Sequence, residues 1–324
     1  MILFFSSITL FPQERMVLKE LGALDIAKLM EDHQIYVTRI QDLDFDEEGN
    51  VYILDDRSGN VTGVNLKTGS LINRISKMGQ GPAELMRPMA LRIRNKKVFI
   101  LSGGFIKIFS IRGEFLRGFR PESSPRGLDV DRDENIYVAG LDRKGNPIIS
   151  VYDMLGNFTK TVLTLQLKKE TLNNKAELSK NLFFFFRVDQ EGNIIILHRD
   201  LRKLTKVSPS GALLWERKIE NSLLEPFYKN EKTVYDKQGP IVSGIIAHFD
   251  IDQDNNIVIA HVGGGCIYSP KGELIYIIEV QLEDSNKGLP IRVPRIFKDR
   301  LLAVFINSNA ILFPYKFTKD GRVN

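Results

Sequence analysis

The chain has 324 residues, 43% hydrophobic and 26% charged, an ordinary globular balance that supplies a large core. Lys and Arg number 45 against 40 acids, a formal charge of +5 carried by both signs, without the concentrated basic run that marks a nucleic-acid stripe. The single cysteine, Cys266, excludes an intrachain disulfide and a Cys-rich zinc pattern, and reads as a small buried strand residue.

In chain order, Met1–Phe11 is an apolar run too short to cross a bilayer, and no basic segment precedes it. Residues 1–14 are set apart as a leader remnant or a surface segment, and 15–324 are taken as one domain. Arg15-Met-Val-Leu-Lys-Glu-Leu21 reads as a lone strand. A repeat then begins: an alternating apolar run, a turn opened by Asp, and a second apolar run. Its copies are Leu43–Ile53, Leu128–Val138, Phe186–Ile196 and Phe249–Ile259, with weaker copies at Leu91–Ile100 and Arg295–Val304. Asp bonds nearby backbone N–H groups, Gly and Asn tolerate the left-handed backbone, and the β-branched run that follows suits a returning strand. A second turn follows each copy, at Leu66–Gly69, Ile111–Gly113, Asp153–Gly156, Ser208–Gly211, Ser269–Gly272 and Thr318–Gly321, with a further strand after the first five.

Four strands per repeat, six times over, predict an all-β, six-bladed β-propeller of four-stranded antiparallel blades. The blades are placed at approximately 38–75, 88–119, 126–165, 183–219, 245–280 and 291–324. The last lacks an outer strand, so residues 15–21 are expected to supply it and close the ring. The sequence Gly79-Gln-Gly-Pro-Ala-Glu84, followed by Arg87-Pro88, resembles the inter-blade link of NHL-repeat propellers of bacteria. The Asp turns resemble the same group's hallmark. The resemblance spans residues 15–324 and departs from the pattern at blades two and six, where the turn Asp is lost, and at two long links. It implies the fold and an exported protein rather than a cytoplasmic one, and leaves function open, because one fold hosts many functions.

Aligned on the turn, the inner strands carry Asp44, Arg92, Asp129, Arg187, Asp250 and Arg295 at one position, between apolar neighbours. Alternating acid and base around a channel predicts a structural ring of salt bridges, each Asp between two Arg residues. A self-satisfied ring counts against the calcium-centred propeller hydrolases, which gather uncompensated oxygens. No metal site and no cofactor is predicted.

The inter-blade links and the loops beside them share one face, where binding residues are expected. The candidates are Arg87, Arg126, Arg143, His198, Arg199, Phe227, Tyr228, His248 and His261, with Asp55, Asp56 and Arg57 beside them. Links 166–182 and 220–245 are the longest. His198 and His261 occupy equivalent positions in successive blades, which would bring three histidines together with His248. Trp215 and the Phe183–Phe186 run read as packing residues. No nucleophile elbow, P-loop or zincin motif is present. The reading that follows is a non-catalytic propeller recognising a protein or glycan partner. The alternatives are a propeller hydrolase or lyase with a channel site, and single-stranded RNA binding through a basic face.

Overall fold

The computed structural model describes residues 14–19, 24–165, 184–198, 201–219, 234–236, 239–241, 246–261, 264–281, 291–298, 300–305 and 310–314. Its repeating unit is built on the Asp turn, which acts as a knot of hydrogen bonds. Asp46 Oδ1 accepts the N–H groups of Glu48 (3.0 Å) and Asn50 (2.9 Å), and Oδ2 accepts the Asn50 side-chain amide (2.8 Å). Asp131, Asp189 and Asp252 repeat these bonds with Asn135, Asn193 and Asn256. The residue before each Asn takes φ of 85°, 63°, 78° and 62°, at Gly49, Glu134, Gly192 and Asn255, the left-handed backbone the turn needs. Where the second repeat lacks Asp, Asn95 (φ 47°) and Lys96 (φ 58°) form a two-residue mirror-image turn instead.

The hairpins extend into an all-β propeller of four-stranded antiparallel blades. From the channel outward, the first sheet runs Ile40–Phe45, Val51–Asp55, Asn60–Val64 and Leu71–Ile75. The second runs Pro88–Arg94 to Phe115–Phe119, the third Ser124–Val130 to Phe158–Thr164, and the fourth Phe184–Val188 to Leu213–Lys218. The next runs Ile246–Ile251 to Leu274–Gln281 and gains a fifth strand. The last holds Ile291–Phe297, Arg300–Phe305 and Ala310–Pro314. The middle strands read as continuous apolar runs because both faces are covered; Val51–Asp55 and Ile194–His198 are buried throughout. Outer strands such as Phe115–Phe119 are largely exposed.

The N-terminal strand departs from expectation. Glu14–Lys19 adds in parallel to the outer strand Leu274–Gln281, so it enlarges the fifth sheet rather than completing the last. The strand that completes the last sheet is Leu24–Asp25, antiparallel to Leu312 and Ile311. A helix, Ile26–Asp32, follows at once, with the Asp25 carboxylate accepting the Lys28 N–H at 3.0 Å as its N-cap. Alternation identifies residues 15–21 as a strand, but two neighbouring blade edges offer the same unpaired backbone groups, and the pattern does not choose between them.

The core lies between successive sheets. Tyr52, Leu54, Val61 and Ile75 of the first pack on Leu91, Ile93, Val98, Ile100 and Phe109 of the second. Ile195, Leu197 and Leu204 of the fourth pack on Phe249, Ile257, Ile259 and Cys266 of the fifth. Burying a side chain such as Phe249 contributes roughly 1.5–3 kcal/mol. First and last sheets meet through Phe45 and Phe297, stacked at 5.3 Å. Trp215 packs between sheets with its indole N–H on Pro270 O at 3.1 Å. The Gly79–Glu84 link is anchored by the buried Lys107, whose ammonium donates to Gly81 O (2.8 Å) and Glu84 O. Among the described residues no helix is long and apolar enough to cross a membrane.

Candidate functional site

Inner-strand side chains alternate, so every second residue reaches toward the neighbouring sheet beside the channel. At the level two residues before the turn, Arg92 Nε donates to Asp129 at 2.8 Å and Arg187 Nε to Asp250 at 3.0 Å. Each arginine also donates through Nη1 to the carbonyl before it, Leu91 or Phe186. The second oxygen of each aspartate accepts a backbone N–H from the next sheet: Asp129 from Val188 (2.7 Å) and Asp250 from Ile296 (2.9 Å). Each of these aspartates is therefore held by one arginine and one amide, where two arginines were expected.

The pattern breaks at the first sheet. Arg295 does not bond Asp44; it donates to Leu43 O (2.7 Å) and to Asp42. Asp42 also accepts from Arg92 Nη1 at 3.1 Å and from Leu91 N–H at 3.0 Å, so one buried carboxylate joins two guanidinium groups. Asp44 accepts the N–H groups of Ile93 (2.8 Å) and Phe45 (2.9 Å). Sequence alignment missed Asp42, although it lies two residues from Asp44 and so on the same strand face; the bulge between Ile40 and Asp42 ends the regular alternation there.

Electrostatics follow this geometry. Burial raises the Asp42 carboxyl, but Arg295 and Arg92 outweigh it and hold it below the usual range. Asp129 is lowered in the same way, with Arg92 overcoming its burial. Asp44 goes the other way: burial dominates and raises it. Burial and the like charges of Arg92 and Arg295 push Arg187 down to about 10. Arg187 is 6% exposed, and its Nη2 is buried with no hydrogen-bond partner. Arg92, Arg94, Arg187 and Arg295 line a channel cavity of about 180 Å³, together with Asp44, Asp129 and Asp250.

His248 is the imidazole of this region. It stands two residues before Asp250 on the same strand and is half-buried. Nδ1 lies 2.8 Å from Phe249 N and 2.7 Å from Phe249 O, and the ring sits 4.3 Å from Phe185, centroid to centroid. Burial, then Arg187 and Arg295, holds its pKa well below the ordinary value, so it is neutral at pH 7. His198 is fully buried beside Phe184, at 6.1 Å, and burial followed by Lys203 lowers it to about 4. Phe184 and Phe185 are adjacent in one strand and face opposite sides, so the structure separates His198 from His248. For His261 the structure describes only backbone, paired with Ile246 and Gly264.

The other sequence candidates scatter. Arg87 and Arg126 are exposed, the first at φ 50° before an inner strand and the second at a bulge between Pro125 and Gly127. Arg143 borders a separate cavity of about 580 Å³ with Glu122, Asp142, Lys144 and Ser150. Asp55 is structural, its buried carboxylate accepting the N–H groups of Thr38, Arg39 and Arg57, and Asp56 pairs with Arg39. Arg199, Phe227 and Tyr228 lie outside the described residues.

A calcium ion does not fit this channel. A hard cation needs several free oxygens, whereas those of Asp42, Asp129 and Asp250 already serve guanidinium and amide donors. Among the described residues no group of three His, Cys, Asp or Glu side chains is arranged to hold a metal.

No family model and no curated protein matches the chain. Solved structures do match. A virginiamycin B lyase from Staphylococcus aureus is similar over 90% of this chain and 98% of its own, at 10% identity and a TM-score of 0.55. A catalytically inactive His-to-Ala variant of that lyase, solved with quinupristin, is similar over 85% and 94%, at 9% identity and 0.53. A gluconolactonase from Xanthomonas campestris is similar over 86% and 87%, at 13% identity and 0.56. These likenesses establish the propeller fold. The neighbours are enzymes, which overturns the expectation of a non-catalytic propeller recognising a protein or glycan. That expectation rested on a self-satisfied ring, and the break at Asp42, Asp44 and Arg187 removes its premise.

Proposed function

We propose that this chain is an enzyme of the propeller lyase or hydrolase kind, with its site in the channel beside His248. The carrying observation is His248 itself: a half-buried imidazole beside the channel arginines, kept neutral and fixed through Nδ1 by the Phe249 peptide. That leaves Nε2 as the nitrogen free to take a proton, the role of a general base. Arg187 supplies a buried positive charge, screened little by water, where a developing oxyanion would be stabilised. Support also comes from the solved neighbours, a lyase whose His-to-Ala variant is inactive and a gluconolactonase.

Among the described residues, five four-stranded sheets and one five-stranded sheet, taken in chain order, support a ring of six blades, and the recurring Asp turns support the NHL-like reading of them. The substrate class proposed is a lactone or another ring that opens by proton transfer. The test incubates the purified protein with quinupristin and with gluconolactone and follows ring opening by mass spectrometry. Turnover of one of them that His248→Ala abolishes, with melting preserved, supports the reading. Turnover unaffected by His248→Ala, or no turnover of either by folded wild type, removes it.

A further inference from the structure

Arg92, Arg187 and Arg295 belong to alternate sheets and should be equivalent, but they are not satisfied alike. On Arg295 the paired donors Nε and Nη2 are both used, by Leu43 O and by Asp42. On Arg187 Nε reaches Asp250, and Nη2 reaches nothing. Strand register explains the difference. Asp42 stands two residues before Asp44, opposite Leu54; the corresponding residue two before Asp250, opposite Ala260, is His248. At the level where Arg295 finds the Asp42 carboxylate on its next sheet, the sheet next to Arg187 carries the imidazole of His248, and the carboxylate that Arg187 bonds there is Asp250. On the preceding sheet the same level holds Gly127, opposite Ala139, which has no side chain to offer.

A buried guanidinium donor without an acceptor has given up its hydrogen bond to water and gained nothing in exchange. An acceptor supplied from outside would recover that. We infer that Arg187 Nη2 and His248 form a binding site for a small oxyanion of carboxylate shape, which takes the position beside Arg187 that Asp42 takes beside Arg295. Two features set the ligand's charge at a single negative. Asp129 and Asp250 are paired with Arg92 and Arg187 and line the channel cavity that Arg187 borders, so a dianion beside Arg187 meets added repulsion. Asp44 lines the same cavity without an arginine bond among the described contacts, which opposes a second negative charge further. The ligand oxygen accepts from Arg187 Nη2, and the imidazole donates through Nε2 when the proton resides there. The inference concerns binding and does not depend on turnover.

Acetate is the probe. Its titration at constant ionic strength, followed by the histidine side-chain NMR signals, should shift His248 saturably and leave unmoved His33, the exposed residue that ends the Ile26–Asp32 helix. Arg187→Lys keeps the charge and loses the forked donors, and should weaken the acetate response at least tenfold. Should that variant fold poorly, His248→Asp gives an independent reading. It places a carboxylate where Asp42 stands on the other side, so it should melt above wild type and lose the acetate-induced rise in melting temperature. A His248 signal that acetate leaves unmoved, or an acetate response in His248→Asp equal to that of wild type, overturns the site.

Discussion

Asp42 and Asp44 sit two residues apart on one strand, and substituting each by asparagine should have opposite consequences. Asp42→Asn removes the negative charge that joins Arg92 and Arg295, both nearly fully buried. Breaking a buried ion pair from one side costs roughly 3–5 kcal/mol, because the surviving cation stays desolvated. Unfolding entropy of about 2.1 cal/mol/K per residue over 324 residues gives about 0.7 kcal/mol per degree, so the melting temperature should fall by about 4–7 °C. Asp44→Asn retains an oxygen to accept the Ile93 N–H and removes a carboxylate whose burial outweighs its attractions. Its melting temperature should stay within about 1 °C of wild type or rise. Acid adds a signature. Asp42 and Asp129 are lowered in the folded state, so their contribution is present above the unfolded carboxylate pKa of about 4 and is lost as the pH falls below it. Asp44 is raised, so its folded form takes up a proton more readily, and acidification relieves its cost. Circular-dichroism melts of both variants from pH 7 to pH 3 measure all of this. An Asp44→Asn variant that falls as far as Asp42→Asn would refute the assignment of Asp42 as the joint between the two arginines.

Two other outcomes follow from the same geometry. His198 takes a proton at about 4 when folded and near the ordinary 6.5 when unfolded, so the unfolded chain binds the proton first. Stability is then lost as the pH falls from about 6.5 toward 4, and His198→Gln should flatten that part of the wild-type melting profile; an unchanged profile would show that His198 is not held neutral. For the N-terminus, deleting residues 1–22 removes Glu14–Lys19 but keeps Leu24–Asp25, whereas deleting 1–25 removes both. The longer deletion should melt distinctly lower and expose the Ala310–Pro314 edge to proteolysis, and equal melting of the two would refute closure by Leu24–Asp25.

The repeating blade was legible in the sequence because its determinants are local. An Asp turn bonds within five residues, as Asp46 does with Asn50, and strand alternation is read from neighbours. The positions of Arg92, Asp129, Arg187 and Asp250 at one level follow from the same register. Other features depended on contacts between segments far apart in the chain. The edge that Glu14–Lys19 joins lies more than 250 residues away, and nothing local distinguishes it from the next edge. Asp42 became the partner of Arg295 only once the last sheet came to rest against the first. Alignment of similar positions assumed that equivalent arginines meet equivalent acids. The folded ring instead put a second aspartate at one level of the first sheet and a histidine at the corresponding level of the fifth, and left Arg187 with a donor unused. Local bonding specified the blades. Which charges remained uncompensated in the channel was decided by tertiary contact, because burial and the choice of neighbour set the energy of a charge far more than its place in the repeat.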